Sequence, residues 1–223
     1  MQINHENLDG LQSLVNHILE LKSDPHVREM VETRVEEFRK VHTMNSFKWY
    51  VELVYCLLTA FASAVMGQRC VDALQRDDLL LSGSLKDIRV CLTETGHRFP
   101  NVRSEYVFNT RPLAQTIKET IQGFSDSGEA RGWLVKHVKG LGWKESSHFL
   151  RNVGYFDLAI IDRHILNNLR EFGLLEMDGK KGLTRKRYFA IEELLERVAG
   201  ELDMELGEVD LYMWYRKTGK VLK

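Results

Sequence analysis

Two residues able to do covalent chemistry stand at the heads of consecutive helical stretches. Lys144 closes the turn VKGLGWK, and Asp162 follows the loop YFDLAII, 18 positions on (162 − 144 = 18). A lysine in the first turn of a helix sits at the positive end of the helix dipole, which disfavours a cation there. One reading is a surface amine that tolerates a few tenths of a kcal/mol, or touches a phosphate. The other is an amine kept neutral by that field and by desolvation, whose lone pair attacks an electrophilic carbon and forms a Schiff base. Asp162 also has two readings: a helix N-cap worth about 1 kcal/mol, or a carboxylate stabilising a sugar C1′ as it gains positive character. The short loop between the helices returns the chain toward its start, so both N-termini are expected to face one cleft.

The turn offers a second chemistry. Glycine tolerates positive φ, so Gly140 and Gly142 allow a tight reversal between helices. The N–H groups around Gly142 and Trp143 then point outward at a helix start, where the dipole helps them hold one phosphate. Read this way, residues 127–154 form a helix-hairpin-helix, a grip on the DNA backbone that ignores base sequence. The same glycine spacing also joins helices for packing reasons alone. A monovalent cation on the carbonyls around Val138 to Leu141 is an option in this motif class. His137, His148 and His164 lie near the turn in sequence, but no HExxH-like spacing points to a catalytic metal.

Helical periodicity supplies the elements that position these groups. Leu8, Leu11, Leu14, Val15, Ile18 and Leu19 follow one face, and a second helix opens at Pro25 with Val27, Met30, Val31, Val35, Phe38 and Val41 on one side. Residues 47–64 are apolar nearly all round, interrupted by Lys48 and Glu52, and read as a buried central helix. Weaker helices are expected at 66–78, 84–95, 102–109 and 112–122. Asp126 and Glu129 form a capping box for a helix to about Val138; the next ends at Gly154. Asp162 opens RHILNNLREF, stopped by Gly173, and helices near 184–199 and 207–216 complete the chain. With no alternating strand pattern, repeat or linker, the fold class is all-α.

Composition bounds the rest. The 223 residues are 43% apolar and 28% charged, enough for a packed core and unlike a disordered chain. No apolar run approaches the ~20 residues of a membrane span, and MQINHENLDG lacks the basic-then-apolar order of a secretory signal. Cys56, Cys70 and Cys91 are odd in number and lack CxxC spacing, which argues against disulfides, a zinc ribbon or a cysteine-held cluster. These features predict a soluble, reduced, intracellular protein, cytoplasmic or nucleoid-associated. The net charge of −1 does not announce a nucleic-acid binder, but its distribution is uneven. Arg131, Lys136, Lys139, Lys144 and Arg151 face Glu145 alone; residues 180–187 hold Lys180, Lys181, Arg185, Lys186 and Arg187; Arg216, Lys217, Lys220 and Lys223 end the chain. Eight acids fall between 191 and 210, with only Arg197 among them. Such segregation leaves a positive face for phosphates, or solvated helix surface.

GLGWKESSHFLRNVG followed by AIIDRHIL resembles the core of the helix-hairpin-helix DNA glycosylases. The likeness is greatest to the archaeal-type (type 2) 8-oxoguanine DNA glycosylase/AP lyases, and it extends over most of the chain to DLYMWYRKTGKVLK. The resemblance implies that Lys144 forms a Schiff base with deoxyribose and that Asp162 is the essential carboxylate. It implies a bifunctional enzyme that releases the oxidised base from double-stranded DNA and cleaves the strand 3′ to the abasic site by β-elimination. It further implies a monomer of two helical subdomains flanking a DNA-binding cleft, one of helices at about 45–125 and one of the N-terminal helices plus about 126–223. The endonuclease III branch, with its iron–sulfur cluster, is excluded because no cysteine follows Cys91. A glycosylase for another base lesion and a non-catalytic DNA-holding module remain as alternatives.

A glycosylase must extrude its nucleotide and fill the gap left in the stack. By resemblance the loop HRFPNVRSEYV (97–107) does this, with Val102 and Arg103 as positional candidates, Phe99 nearby and Gln68 as a second candidate. Oxidation turns guanine N7 from an acceptor into a donor, so a fixed acceptor aimed there favours the lesion by about 1–3 kcal/mol. The resemblance gives that task to the terminal residue, Lys223, whose α-carboxylate is an acceptor, and makes Trp214 the stacking platform for the flipped base. Without the resemblance, GKVLK reads as a frayed tail and Trp214 as core.

Overall fold

The structure, a computed structural model, describes residues 2–4, 6–176 and 183–223. A two-residue strand β1 (Gln2–Ile3) precedes α1 (Leu8–Ser23), α2 (Pro25–Thr43), α3 (Ser46–Thr59), α4 (Ala64–Arg76), α5 (Leu85–Glu94) and α6 (Pro100–Thr110). A 3-10 turn at Arg111–Gln115 leads into α7 (Ile117–Gln122), α8 (Ser127–His137), α9 (Trp143–Asn152) and α10 (Arg163–Glu171). Strand β2 (Leu175–Glu176), α11 (Arg185–Leu202) and α12 (Leu206–Thr218) follow. The fold is all-α apart from the antiparallel β1–β2 pair, too short to leave an alternation in the sequence. The stretch expected as one helix at 112–122 is broken at Thr116, whose φ of −129° leaves helical geometry. Leu8 and Leu19, on the expected apolar face of α1, are exposed. Lys180 and Lys181 of the basic run lie outside the described residues. Among the described residues no helix is long and apolar enough to cross a membrane.

The chain forms two compact units, Arg39–Val153 and Met1–Phe38 with Gly154–Lys223. Residues 126–153, expected with the N-terminal helices, fall in the unit of the central helices. In that unit every residue of α3 from Trp49 to Thr59 is buried, and α4, α6, α7 and α9 pack on it. Glu52, expected to interrupt an apolar helix, is buried and accepts from Asn152 Nδ2 at 3.0 Å, so its burial is compensated by a partner on α9. In the other unit α1 packs on α11 and α12, and α10 packs on α12. Asn7 ties the start of α1 to the end of α10: its Oδ1 accepts from Gly10 N, and its Nδ2 donates to the Gly173 carbonyl at 3.1 Å.

Candidate active site

In the central unit the two helices flanking the turn are fixed by different means. Asp126 caps α8, its Oδ1 accepting from Glu129 N at 2.8 Å. The Glu129 carboxylate is turned to Ser125 Oγ instead (3.0 Å), so only the Asp126 half of the expected box is evident. The turn is closed by Leu141 N donating to the Val138 carbonyl at 3.1 Å. Gly140 adopts φ +103°, and a Cβ there would lie 2.3 Å from Tyr106 Cδ2 and 3.0 Å from Leu57 Cδ2. Glycine is thus required twice, for its conformation and for its contact with α6. Gly142 caps α9 and donates its N–H to Glu145 Oε2 at 3.2 Å, so one donor expected to face a phosphate is already engaged.

Helix α9 is a rigid carrier. Its residues Ser146 to Asn152 are buried, Phe149 meets Trp49 edge-on, and His148 meets Tyr55 edge-on at 5.8 Å. Arg131 reaches from α8 to Ser147 Oγ (3.2 Å) and lies 5.6 Å from the Trp143 ring, bracing positions one before and three after Lys144. Lys144 is half-buried in the first turn, and among the described residues its amine has no hydrogen-bond or ion-pair partner. Arg131 and Arg151, counted from the sequence among surface bases, are buried structural groups instead. His137 stacks on Trp133 at 4.9 Å.

In the other unit Asp162 is the N-cap of α10. Its Oδ1 accepts from the N–H groups of His164 (2.7 Å) and Ile165 (2.9 Å), while Oδ2 has no partner among the described residues. The approach to it is buried from Leu158 to Ile161 and held by α11: Tyr188 OH donates to the Ala159 carbonyl (2.7 Å), and Glu192 Oε2 accepts from Ala159 N (2.9 Å). Glu192, counted in the sequence only as one of eight clustered acids, is a buried support of this segment. Sequence reading missed both supports, although Tyr188 and Glu192 share a helix face at i, i+4.

Trp214 is half-buried on α12, with the His164 ring edge-on at 5.7 Å. His164 therefore touches two of the three predicted residues of this unit, Asp162 through its backbone and Trp214 through its ring. Asn168 pins α12 to α10, donating to the Met213 carbonyl (3.0 Å) and accepting from Arg216 Nη1 (2.8 Å). Arg216 and Lys217, expected as part of a phosphate-facing tail, both pair with Glu171. These hydrogen bonds, that from Lys217 first, hold the Glu171 carboxyl below its usual range. The tail is anchored, unlike the frayed end that its residues alone suggest: Gly219 turns at φ +65°, Val221 is buried, and Lys223 is half-buried.

The wedge candidates divide. Val102 and Phe99 are exposed at 46% and 39%. Arg103 is not a surface reader: it is buried, its Nη2 donates to the Ala60 carbonyl at 3.0 Å, and burial holds its guanidinium below the usual arginine range. Gln68 is tied to Asp72 at 2.7 Å. The three cysteines are buried, and burial pushes the Cys70 thiol up to about 11.

Two helices joined by a glycine turn, with a half-buried lysine just past it, define a helix-hairpin-helix protein. The model of the family described as 8-oxoguanine DNA glycosylase matches residues 31–204. The 8-oxoguanine DNA glycosylase/AP lyase of Korarchaeum cryptofilum is 44% identical over 96% of this chain and 100% of its own, and that of Methanocaldococcus jannaschii is 39% identical over 94% and 99%. The crystal structure of the M. jannaschii 8-oxoguanine glycosylase/lyase with a 15mer DNA containing 8-oxoguanine superposes with a TM-score of 0.89 at 38% identity, covering 95% of this chain and 100% of that one. The Thermotoga maritima 8-oxoguanine DNA glycosylase gives 0.86 at 36% identity, covering 96% and 100%. The chain belongs to the 8-oxoguanine DNA glycosylase family.

Proposed function

We propose that this chain excises 8-oxoguanine from double-stranded DNA and then cleaves the strand as an AP lyase, with Lys144 as nucleophile and Asp162 as the carboxylate that stabilises the sugar cation. The observation that carries the assignment is the half-buried Lys144 amine, without a partner among the described residues, on the braced first turn of α9. As the glycosidic bond breaks, its electron pair leaves with the base, and C1′ gains positive character that a carboxylate oxygen stabilises. The lysine nitrogen bonds to C1′ and gives up a proton; the C1′–O4′ bond then breaks, O4′ takes a proton as the 4′-hydroxyl, and the nitrogen lone pair closes the protonated imine. Loss of a C2′ proton then expels the 3′ phosphate oxygen, and water releases Lys144 from the imine. The free Oδ2 of Asp162 supports its part, since capping uses only Oδ1.

The remaining residues take supporting roles. Trp214 stacks on the extruded base, Lys223 takes part in reading the N7–H of the lesion, and the N–H groups around Gly140 and Trp143 hold a phosphate; the carbonyls of 138–141 would hold a monovalent cation. The protein acts as a monomer in the cytoplasm or nucleoid. The test is Lys144→Gln with borohydride trapping on lesion-containing duplex: DNA binding persists within a few-fold and the covalent complex disappears. A complex that still forms would assign the chemistry to another amine.

A further inference from the structure

Asn168 shares the buried face of α10 with Ile165 and Leu169 and is itself fully buried. Packing alone asks for an apolar side chain at such a position. Both ends of its amide are used instead. Nδ2 donates to the His164 carbonyl within α10 (2.9 Å) and across to the Met213 carbonyl on α12 (3.0 Å), and Oδ1 accepts from Arg216 Nη1 (2.8 Å). These partners fix the amide's orientation, because a flip would set its oxygen against two carbonyls and its nitrogen against a guanidinium.

The amide joins the two helices that carry the chemistry of their unit. Asp162 caps the start of α10, and Trp214 follows Met213 on α12. The edge-on contact of Trp214 with His164, at 5.7 Å, does not fix the register, since aromatic pairs accept a range of offsets. An amide with set partners does not: a slide or turn of α12 along α10 would part Asn168 from both Met213 and Arg216 at a buried site. A single buried asparagine selects one register between packed helices in this way. Outer contacts extend the clamp. Arg216 also bonds Glu171 (2.6 Å) and lies 4.8 Å from the Phe172 ring, and Lys217 pairs with the same carboxylate. Glu171 is exposed, however, and ion pairs in water hold geometry weakly. Thr218 Oγ1 donates to the Trp214 carbonyl (2.9 Å) and accepts from Lys220 N (3.3 Å), so the start of the terminal tail follows α12.

Resting on the glycosylase reading, we propose that Asn168 is a positioning residue for base excision, setting Trp214 against the helix of Asp162 at the register in which its ring meets the extruded base. An abasic site offers no base to stack, so strand cleavage there does not need that register. The experiment compares single-turnover excision from an 8-oxoguanine duplex with cleavage of the same duplex carrying a preformed abasic site. Asn168→Ala lowers excision about tenfold to a hundredfold, while abasic-site cleavage stays within about threefold and reports that the same preparation is folded. Asn168→Asp keeps the size and the Arg216 partner but turns lone pairs toward the two carbonyls, and it shows the same selective loss. In a Trp214→Ala background, Asn168→Ala lowers excision by no more than about threefold further, because both changes act through one ring. Unchanged excision in Asn168→Ala, an equal loss on both substrates in both Asn168 variants, or losses that multiply in full with Trp214→Ala overturn the proposal. Parental excision in Trp214→Ala alone removes the stacking platform, and the proposal with it. If the unsubstituted protein acts on neither duplex, the glycosylase reading fails instead.

Discussion

Asp162 uses Oδ1 for the N–H groups of His164 and Ile165, and the second oxygen is not needed for capping. Structure and chemistry can therefore be separated by substitution. Asn caps as well as Asp, so Asp162→Asn keeps the melting temperature near that of the parent but removes the charge, lowering single-turnover excision about 10²–10³-fold. Asp162→Ala loses the same chemistry and about 1 kcal/mol of stability besides, measured by urea unfolding. Equal activity in Asp162→Asn would reduce the carboxylate to a cap. Deleting Lys223 tests base choice in the same spirit: the preference for 8-oxoguanine over guanine falls by about tenfold or more if this residue reads N7–H. The positions of Lys144, Asp162 and Gly140 at helix starts and in the turn were legible because residue type and local spacing carry capping and turn signals. Arg103 and Glu192 were not, since a charged residue's burial is decided by partners far along the chain, Ala60 for one and Ala159 for the other.

At the scale of elements, the hairpin turn depends on Gly140. Gly140→Ala must hold a Cβ at φ +103° and 2.3 Å from the Tyr106 ring. The expected cost is about 2–4 kcal/mol in urea unfolding, from backbone conformation and overpacking together, with duplex affinity falling in parallel. The loop before α6 carries a pH dependence. His97 is neutral in the fold, Nε2 donating to Leu58 O and Nδ1 accepting from Phe99 N, and burial lowers its pKa below the ordinary 6.5. Its stabilising contribution is complete above that unfolded value and is lost as pH falls through 6.5 toward the lowered folded value. Thermal melts between about pH 7.5 and 5 should therefore fall more steeply for the parent than for His97→Gln; parallel curves would remove His97 from the account. Helices were read well from periodicity because α3, α9 and α10 bury one face or all of themselves. The 3-10 turn and the β1–β2 pair escaped, since five and two residues are too few to show a period.

The whole molecule has a net charge of −1, and part of its basic complement is engaged internally. Arg131 and Arg151 are buried, and Arg216 and Lys217 pair with Glu171, so four bases that the sequence offered to phosphates serve the fold. Lys136 and Lys139 remain exposed beside the hairpin, with Arg98 and Arg69 near the α3–α4 turn. Electrostatic affinity for DNA is set by how many phosphates are neutralised, and each one steepens the fall of log K with log salt by about 0.9. A protein gripping one phosphate at a glycine turn should therefore show a shallow slope, about −2 to −4, on undamaged duplex. Lys139→Gln should flatten it by about one unit regardless of sequence. Glu171→Gln should act in the opposite sense, because Arg216 and Lys217 lose their intramolecular carboxylate and become available to the backbone. Fluorescence-anisotropy titrations at several salt concentrations measure all three slopes. A steep parental slope, or one unmoved by Lys139→Gln, would mean that affinity arises from a broad basic surface and not from the hairpin.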